Sequence, residues 1–251
     1  MSGHSKWSQI KRQKGANDAK RGAIFTKVGR EITIAAREGG GDPDGNYRLR
    51  LAIDKARSVN MPAENIKRAI EKAAGGSAAE QYEEVIYEGY GPGGVAILVE
   101  AATDNRNRTV ADVRALFTRA GGQLAGAGAV AWQFEPRGVV AIARDGLDAD
   151  EIALTAIDAG ADDVDTDADD LIEVLTEPAN LEALRKSLEA AGVKIESAEV
   201  TMQPKQRIEV DDSAARQNLR LLEQLDDLDD VQRVTANFDL PAEVLAEVAG
   251  A

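Results

Sequence analysis

Apolar positions recur with helical spacing over residues 18–38. At ~100° per residue, Ile24, Phe25, Val28, Ile32, Ala35 and Ala36 share one arc about 120° wide. Asn17 or Asp18 offers an N-cap, and Gly39-Gly40-Gly41 a stop. Lys20, Lys27, Arg30 and Arg37 fall on a separate arc, with Ile34 intruding among them and Arg21 on the apolar side. A second helix is predicted over residues 46–58. It ends before Asn60-Met61-Pro62, because a residue preceding proline avoids helical angles. Pro62 opens a third helix, with Ile66, Ala69, Ile70 and Ala73 at i, i+3, i+4 and i+7 and Gly75-Gly76 as its stop. Three helices with short connections predict a small bundle.

Beyond Ser77 short strands and helices alternate. Strands are predicted at 84–90 and 95–102 around the turn Gly91-Pro92-Gly93-Gly94, a helix at 109–120 and a strand at 129–134. Then come a strand (139–143), a helix (148–159), two strands (163–166, 171–176), a helix (180–191) and a strand (194–202). That order is β-α-β-β-α-β, the ferredoxin-like split unit. A helix (213–225) and a strand (231–236) remain. Residues 79–134 supply ββαβ and lack one helix and one strand, which 207–238 supply. The expected fold class is therefore multi-domain α and α+β: an N-terminal three-helix domain followed by two α+β domains, the last a ferredoxin-like insertion in the middle one. The expected boundaries are 1–76 (basic, helical), 77–134 plus 205–240 (discontinuous, α+β) and 135–204 (inserted, acidic). Chain reversals are expected at Pro136-Arg137-Gly138 and Gln203-Pro204.

Composition narrows the chemistry. The 251 residues are 43% hydrophobic and 29% charged, and no run approaches the ~18 apolar residues of a spanning helix. The opening Met1-Ser2-Gly3-His4-Ser5-Lys6 lacks the apolar core of a signal peptide. Cysteine is absent and His4 is the one histidine. Disulfides, thiolate chemistry and His-His metal sites are thereby excluded, and a cytoplasmic protein with no membrane partner is expected. No cofactor, metal or small-molecule substrate is expected, and His4 lacks the orienting acid that a catalytic histidine needs.

The net charge of −14 is unevenly placed. Residues 1–74 hold 16 Lys and Arg against 8 acids, whereas the rest of the chain has a net charge of −22. A basic nucleic-acid-facing module on an acidic body follows. Within it, Lys6, Trp7, Lys11, Arg12 and Lys14 crowd four cations and an indole into nine residues, suited to phosphate neutralisation and stacking. The alternative is a solvated arm whose Trp7 packs on the bundle. Lys20, Lys27, Arg30 and Arg37 extend the candidate contact surface along the first helix. Arg106 and Arg108 sit where a strand hands over to a helix. They either assist phosphate binding at the helix N-terminus or pair with the acidic body.

Other motifs have simpler readings. Gly91-Pro92-Gly93-Gly94 lacks the Lys-Ser/Thr pair of a phosphate loop and reads as a hairpin turn. The Gly-rich stretch 121–128 reads as close packing or as a loop touching RNA backbone. The Asp run 162–170 lacks the glycine and terminal glutamate of a calcium loop and fits a protected sheet edge.

Four blocks together resemble the YebC/PmpR family, which includes the mitochondrial translational activator of cytochrome oxidase subunit one. They are Gly3-His4-Ser5-Lys6-Trp7 with Lys11 and Lys14; Asn60-Met61-Pro62-x-x-Asn65-Ile66; Thr103-Asp104-Asn105-Arg106-Asn107-Arg108-Thr109; and Val130-Ala131-Trp132-x-Phe134. The loop 122–128 departs from that pattern in being richer in Gly and Ala. The resemblance implies three domains, one helical and two α+β, and a cytoplasmic, non-enzymatic regulator that binds DNA. It also implies an alternative: a ribosome-associated translation factor that binds ribosomal RNA and relieves stalling. An enzyme using paired carboxylates and a purely protein-binding scaffold are the readings from other classes.

Overall fold

The computed structural model describes residues 18–74, 82–144, 146–166, 171–241, 243, 244 and 247. Among the described residues three helices come first: α1 (Asp18–Gly39), α2 (Tyr47–Ser58) and α3 (Ala63–Ala74). Their apolar stripes close on one another, burying Val28, Ile32, Ala35, Leu49, Ile53 and Met61 in a shared core. Asn46 makes the tight link between α1 and α2. Its Oδ1 accepts from Leu49 N at 3.0 Å, while its Nδ2 donates to the carbonyls of Ala35 (2.7 Å) and Gly40 (2.8 Å). A Cβ at Gly39 would stand 2.6 Å from that side chain, so glycine is required there.

The mixed part follows: β1 (Glu83–Tyr90), β2 (Ala96–Thr103), α4 (Arg106–Arg119), β3 (Gln123–Leu124), β4 (Phe134–Ala143), α5 (Ala149–Asp158), β5 (Asp163–Asp165), β6 (Leu171–Thr176), α6 (Leu181–Ala190), β7 (Ile195–Pro204), α7 (Asp212–Asp226) and β8 (Val231–Ala236). Two antiparallel sheets result, with orders β3-β1-β2-β8 and β5-β6-β4-β7. Helices α4 and α7 cover one face of the first sheet, where Phe117, Val113, Leu219 and Leu222 meet Ile97 and Val99. Helices α5 and α6 cover the second, where Ile152, Leu184 and Leu188 meet Val140, Ile142 and Val174. The aspartate-bearing β5 is an edge strand, where charge discourages pairing with another chain.

Several sequence expectations need correction. Residues 129–133 form no strand; a 3-10 turn occupies Ala131–Gln133, and Phe134 already belongs to β4. The first sheet instead takes its third strand from Gln123–Leu124, only two residues long and too short for periodicity to reveal. Neither Pro136 nor Pro204 reverses the chain. Strand β4 runs straight through Pro136, which lies opposite Met202, and β7 continues to Pro204 opposite Phe134. Pairing of β4 with β6 begins only at Gly138, so Pro136 sits where one neighbour is present and its missing N–H breaks no ladder. Helix α4 starts three residues earlier than periodicity suggests, because Asn105 caps it by accepting from Arg108 N at 3.1 Å.

Candidate nucleic-acid interface

The arm residues Lys6, Trp7, Lys11, Arg12 and Lys14, with His4, lie outside the described residues, as does the side chain of Lys20. The remaining candidates divide into two groups. Lys27 and Arg30 project from α1 onto the loop between α7 and β8, with side chains only 12% and 13% exposed. Lys27 Nζ donates to the Asp226 carbonyl. Arg30 donates to the Asp229 carbonyl and to Asp230 Oδ1 at 2.9 Å. The face expected to meet phosphates thus meets the chain's own acids. Ile34, the apolar intruder on that face, is buried as well.

Asp230 is the centre of this junction and is 7% exposed. Besides Arg30, its Oδ2 lies 2.7 Å from an Arg108 nitrogen, 2.7 Å from the Thr109 hydroxyl and 3.2 Å from the Thr103 hydroxyl. Burial pushes the Asp230 carboxyl up, but Arg108, Thr109 and Arg30 outweigh it and hold its pKa below the ordinary value. The Thr103-to-Thr109 block is therefore a clasp joining β2, α4, β8 and, through Arg30, α1. Arg108 also pairs with Asp104 at 2.8 Å. Arg106 is 64% exposed with Glu83 at 3.8 Å, and Arg37 is exposed in the last turn of α1. Sequence reasoning passed over α3, whose Lys67, Arg68 and Lys72 all stand on exposed positions. They share that helix with Glu64 and Glu71, which hid the basic excess.

A second charged junction lies between α1, α2, β2, β7 and β8. Lys55 pairs with Glu31 at 2.8 Å and lies 3.8 Å from Glu199, which Arg233 also holds. Arg233 donates to the Val200 carbonyl at 2.7 Å. Beside them Glu100 is half-buried, and its enclosed Oε1 has no hydrogen-bond partner among the described residues. Burial raises its pKa, against the pull of Arg233.

A third feature concerns the Gly-rich loop before β4. Glu88 is 6% exposed and, among the described residues, is held by backbone amides alone: Gly128 N at 2.6 Å, Val130 N at 2.7 Å and Ala131 N at 2.8 Å. These three donors overcome the effect of burial and lower its pKa. The loop they shape presents Trp132, 67% exposed. Its indole Nε1 donates to the Ala129 carbonyl at 3.1 Å, which also accepts from the Tyr90 hydroxyl at 3.0 Å.

Comparison with known proteins fits this architecture. Residues 5–76 match the TACO1/YebC protein N-terminal domain, and residues 82–238 match the TACO1/YebC second and third domain. The chain belongs to the TACO1/YebC family. Relatives in this family include a probable transcriptional regulatory protein of Rubrobacter xylanophilus, 54% identical over 251 residues and covering all of both chains. Another, from Desulfotalea psychrophila, is 54% identical over 250 residues, covering 99% of this chain and 100% of its own. A crystal structure of a conserved hypothetical protein from Aquifex aeolicus superposes with a TM-score of 0.86 at 46% identity, covering 91% of this chain and 94% of that one. As a TACO1/YebC protein, this chain is a member of a family named for regulation. No helix among its described residues is long and apolar enough to cross a membrane.

Proposed function

We propose that this chain is a non-enzymatic regulator of gene expression that binds nucleic acid through its basic N-terminal part. In this reading the chain has three domains, 1–76, 77–134 plus 205–240, and the ferredoxin-like insertion 135–204. The two sheet orders support that division. The observation that carries the function is the segregation of charge, +8 over residues 1–74 against −22 beyond them. An acidic body repels a phosphate backbone, so contact is confined to one side. The contacting groups are Lys6, Trp7, Lys11, Arg12 and Lys14, with Lys20, Arg37 and Arg106 as outlying cations. Lys27, Arg30 and Arg108 serve chiefly to join the helical part to the rest. The names carried by relatives support the regulatory part of this reading.

One observation favours structured RNA, including ribosomal RNA, over a promoter sequence. Base readout by a helix needs Arg, Asn or Gln displayed together in the major groove. Between Lys20 and Arg37, α1 carries no Asn or Gln, and Lys27 and Arg30 face inward. Such a helix recognises charge and shape. The test is competition at fixed salt between selected duplexes, random duplex and ribosomal subunits. Comparable affinity for all duplexes with ribosome association supports the RNA reading. A duplex preferred about a thousandfold over random DNA, without ribosome association, supports promoter binding instead.

A further inference from the structure

Trp132 lies far along the chain from the basic arm. Fifteen consecutive residues, 120–134, contain no charged side chain in a protein that is 29% charged. Within that run one large apolar group, the Trp132 indole, is displayed to solvent. Its setting is rigid rather than loose. The Glu88 carboxylate fixes three amides of the loop, Val130 and Phe134 are buried against Ala96 and Leu98 beneath it, and Asn237 Nδ2 donates to the Gln133 side chain at 2.9 Å. The indole N–H is already satisfied inside the loop, so its exposure does not serve hydrogen bonding to water. Beside it Lys205 is exposed, and its Nζ donates to the Trp132 carbonyl at 3.0 Å. Two ammonium protons remain, within reach of whatever covers the ring. Gly126, Ala127 and Gly128 are exposed and small, so a sugar-phosphate backbone can approach closely.

We propose that Trp132 is a stacking platform for an unpaired nucleobase of a single strand, with Lys205 placed for the adjacent phosphate. This rests on the nucleic-acid reading above. A π-face with one nearby cation is the arrangement that binds single strands without regard to sequence, and the acid that holds the loop, Glu88, is buried under its amides. Bases inside a duplex are already stacked and leave the indole nothing to cover. A ring held still by its own loop also loses little freedom on binding.

The chain has two tryptophans, so the Trp7→Phe variant reports Trp132 fluorescence alone. A twelve-residue oligouridylate should quench it, and a matched RNA duplex should not. In the otherwise native chain, fluorescence anisotropy of the labelled oligomer should show Trp132→Ala binding about 10-fold more weakly, with an unchanged slope of log K against log salt. Trp132→Phe should recover part of the loss, since a smaller ring still stacks. Lys205→Ala should reduce the slope by about 0.7. Intact binding without quenching, or equal affinity after Trp132→Ala, overturns the platform and leaves the nucleic-acid reading standing. Quenching by a proline-rich peptide and not by the oligomer overturns it in favour of a protein contact. A chain that binds neither strand nor duplex at low salt overturns the nucleic-acid reading itself, and the platform with it.

Discussion

Asp230 and Glu88 are both buried carboxylates, yet they do different work. Asp230 gathers two guanidinium groups and two hydroxyls from separate elements. Asp230→Ala takes the carboxylate from the largely buried Arg30 guanidinium, while the exposed Arg108 keeps Asp104, so it should cost about 3 kcal/mol in chemical denaturation, the low end for breaking a buried pair. A double-mutant cycle with Arg30→Ala should show a clear coupling energy; simple additivity would mean the two do not interact. Glu88 has no cation and orders only its own loop, so Glu88→Gln, which turns one acceptor into a donor facing amides, should cost about 1–3 kcal/mol. Their titrations share a sign. Each folded pKa lies below its ordinary value, 3.8 for Asp230 and 4.5 for Glu88, so the stability they contribute is present above those values and is lost as pH falls through the lowered ones. Glu100 has the opposite sign. Its folded pKa is raised above 4.5, so the folded state loses stability as pH rises through it. Glu100→Gln should therefore gain stability relative to the parent at neutral pH, and that gain should vanish below about pH 4, as followed by thermal unfolding. At this scale the sequence is a partial guide. Ile34 on a basic arc was a readable sign of a buried face, whereas nothing local told that Arg108 would meet Asp230, 122 residues away.

Among elements, those with strong local signals were readable and those defined by partners were not. Helices α1 to α3 carry caps, stops and apolar stripes in their own sequence, and the structure places them within a residue or two of expectation. Strand β3 exists only because β1 offers an edge to Gln123 and Leu124. Strand β4 exists through Pro136 only because β7 runs alongside it. Proline and glycine near one another look like a turn until the neighbour is known. The caps give a graded test. Asn105→Ala removes one cap hydrogen bond and should cost about 1 kcal/mol, whereas Asn46→Ala removes a cap and two further bonds in a buried link and should cost more. Equal losses, measured by urea unfolding, would mean that the two bonds from Asn46 Nδ2 add nothing beyond the cap.

At the level of the whole molecule, charge is the organising quantity, and it was readable by counting residues. Its destination was not. Part of the basic excess faces inward, onto the acids at residues 226–230, so the surface open to phosphates is smaller than the count suggests. The arm should then dominate the salt response. Replacing Lys6, Lys11, Arg12 and Lys14 by Ala should lower the slope of log K against log salt by about 3–4 on duplex DNA, or about 3 on a single strand. An unchanged slope would place the main contact elsewhere, with Arg37 and Arg106 the next cations to replace. The pairing of β2 with β8 could be reasoned from counting strands, because residues 79–134 leave a sheet one strand short. Which short segment supplied the opposite edge could not.

That same pairing imposes an order on events during synthesis. Strand β2 ends at Thr103 and its neighbour begins at Val231, with the whole of the second sheet made in between. At ~5–20 residues per second, the ribosome takes roughly 6–25 s to deliver the missing partner. Throughout that interval the edge of β2 is open, and for most of it the apolar face also lacks α7 and the acids that clasp Lys27 and Arg30. The helical part can close at once, and the second sheet as soon as Pro204 completes its last strand. The last portion of the chain thus acts as a latch, and a truncation just before Val231 would release a protein with one finished sheet, one sticky edge and an acidic clasp for α1 left unanchored by β8.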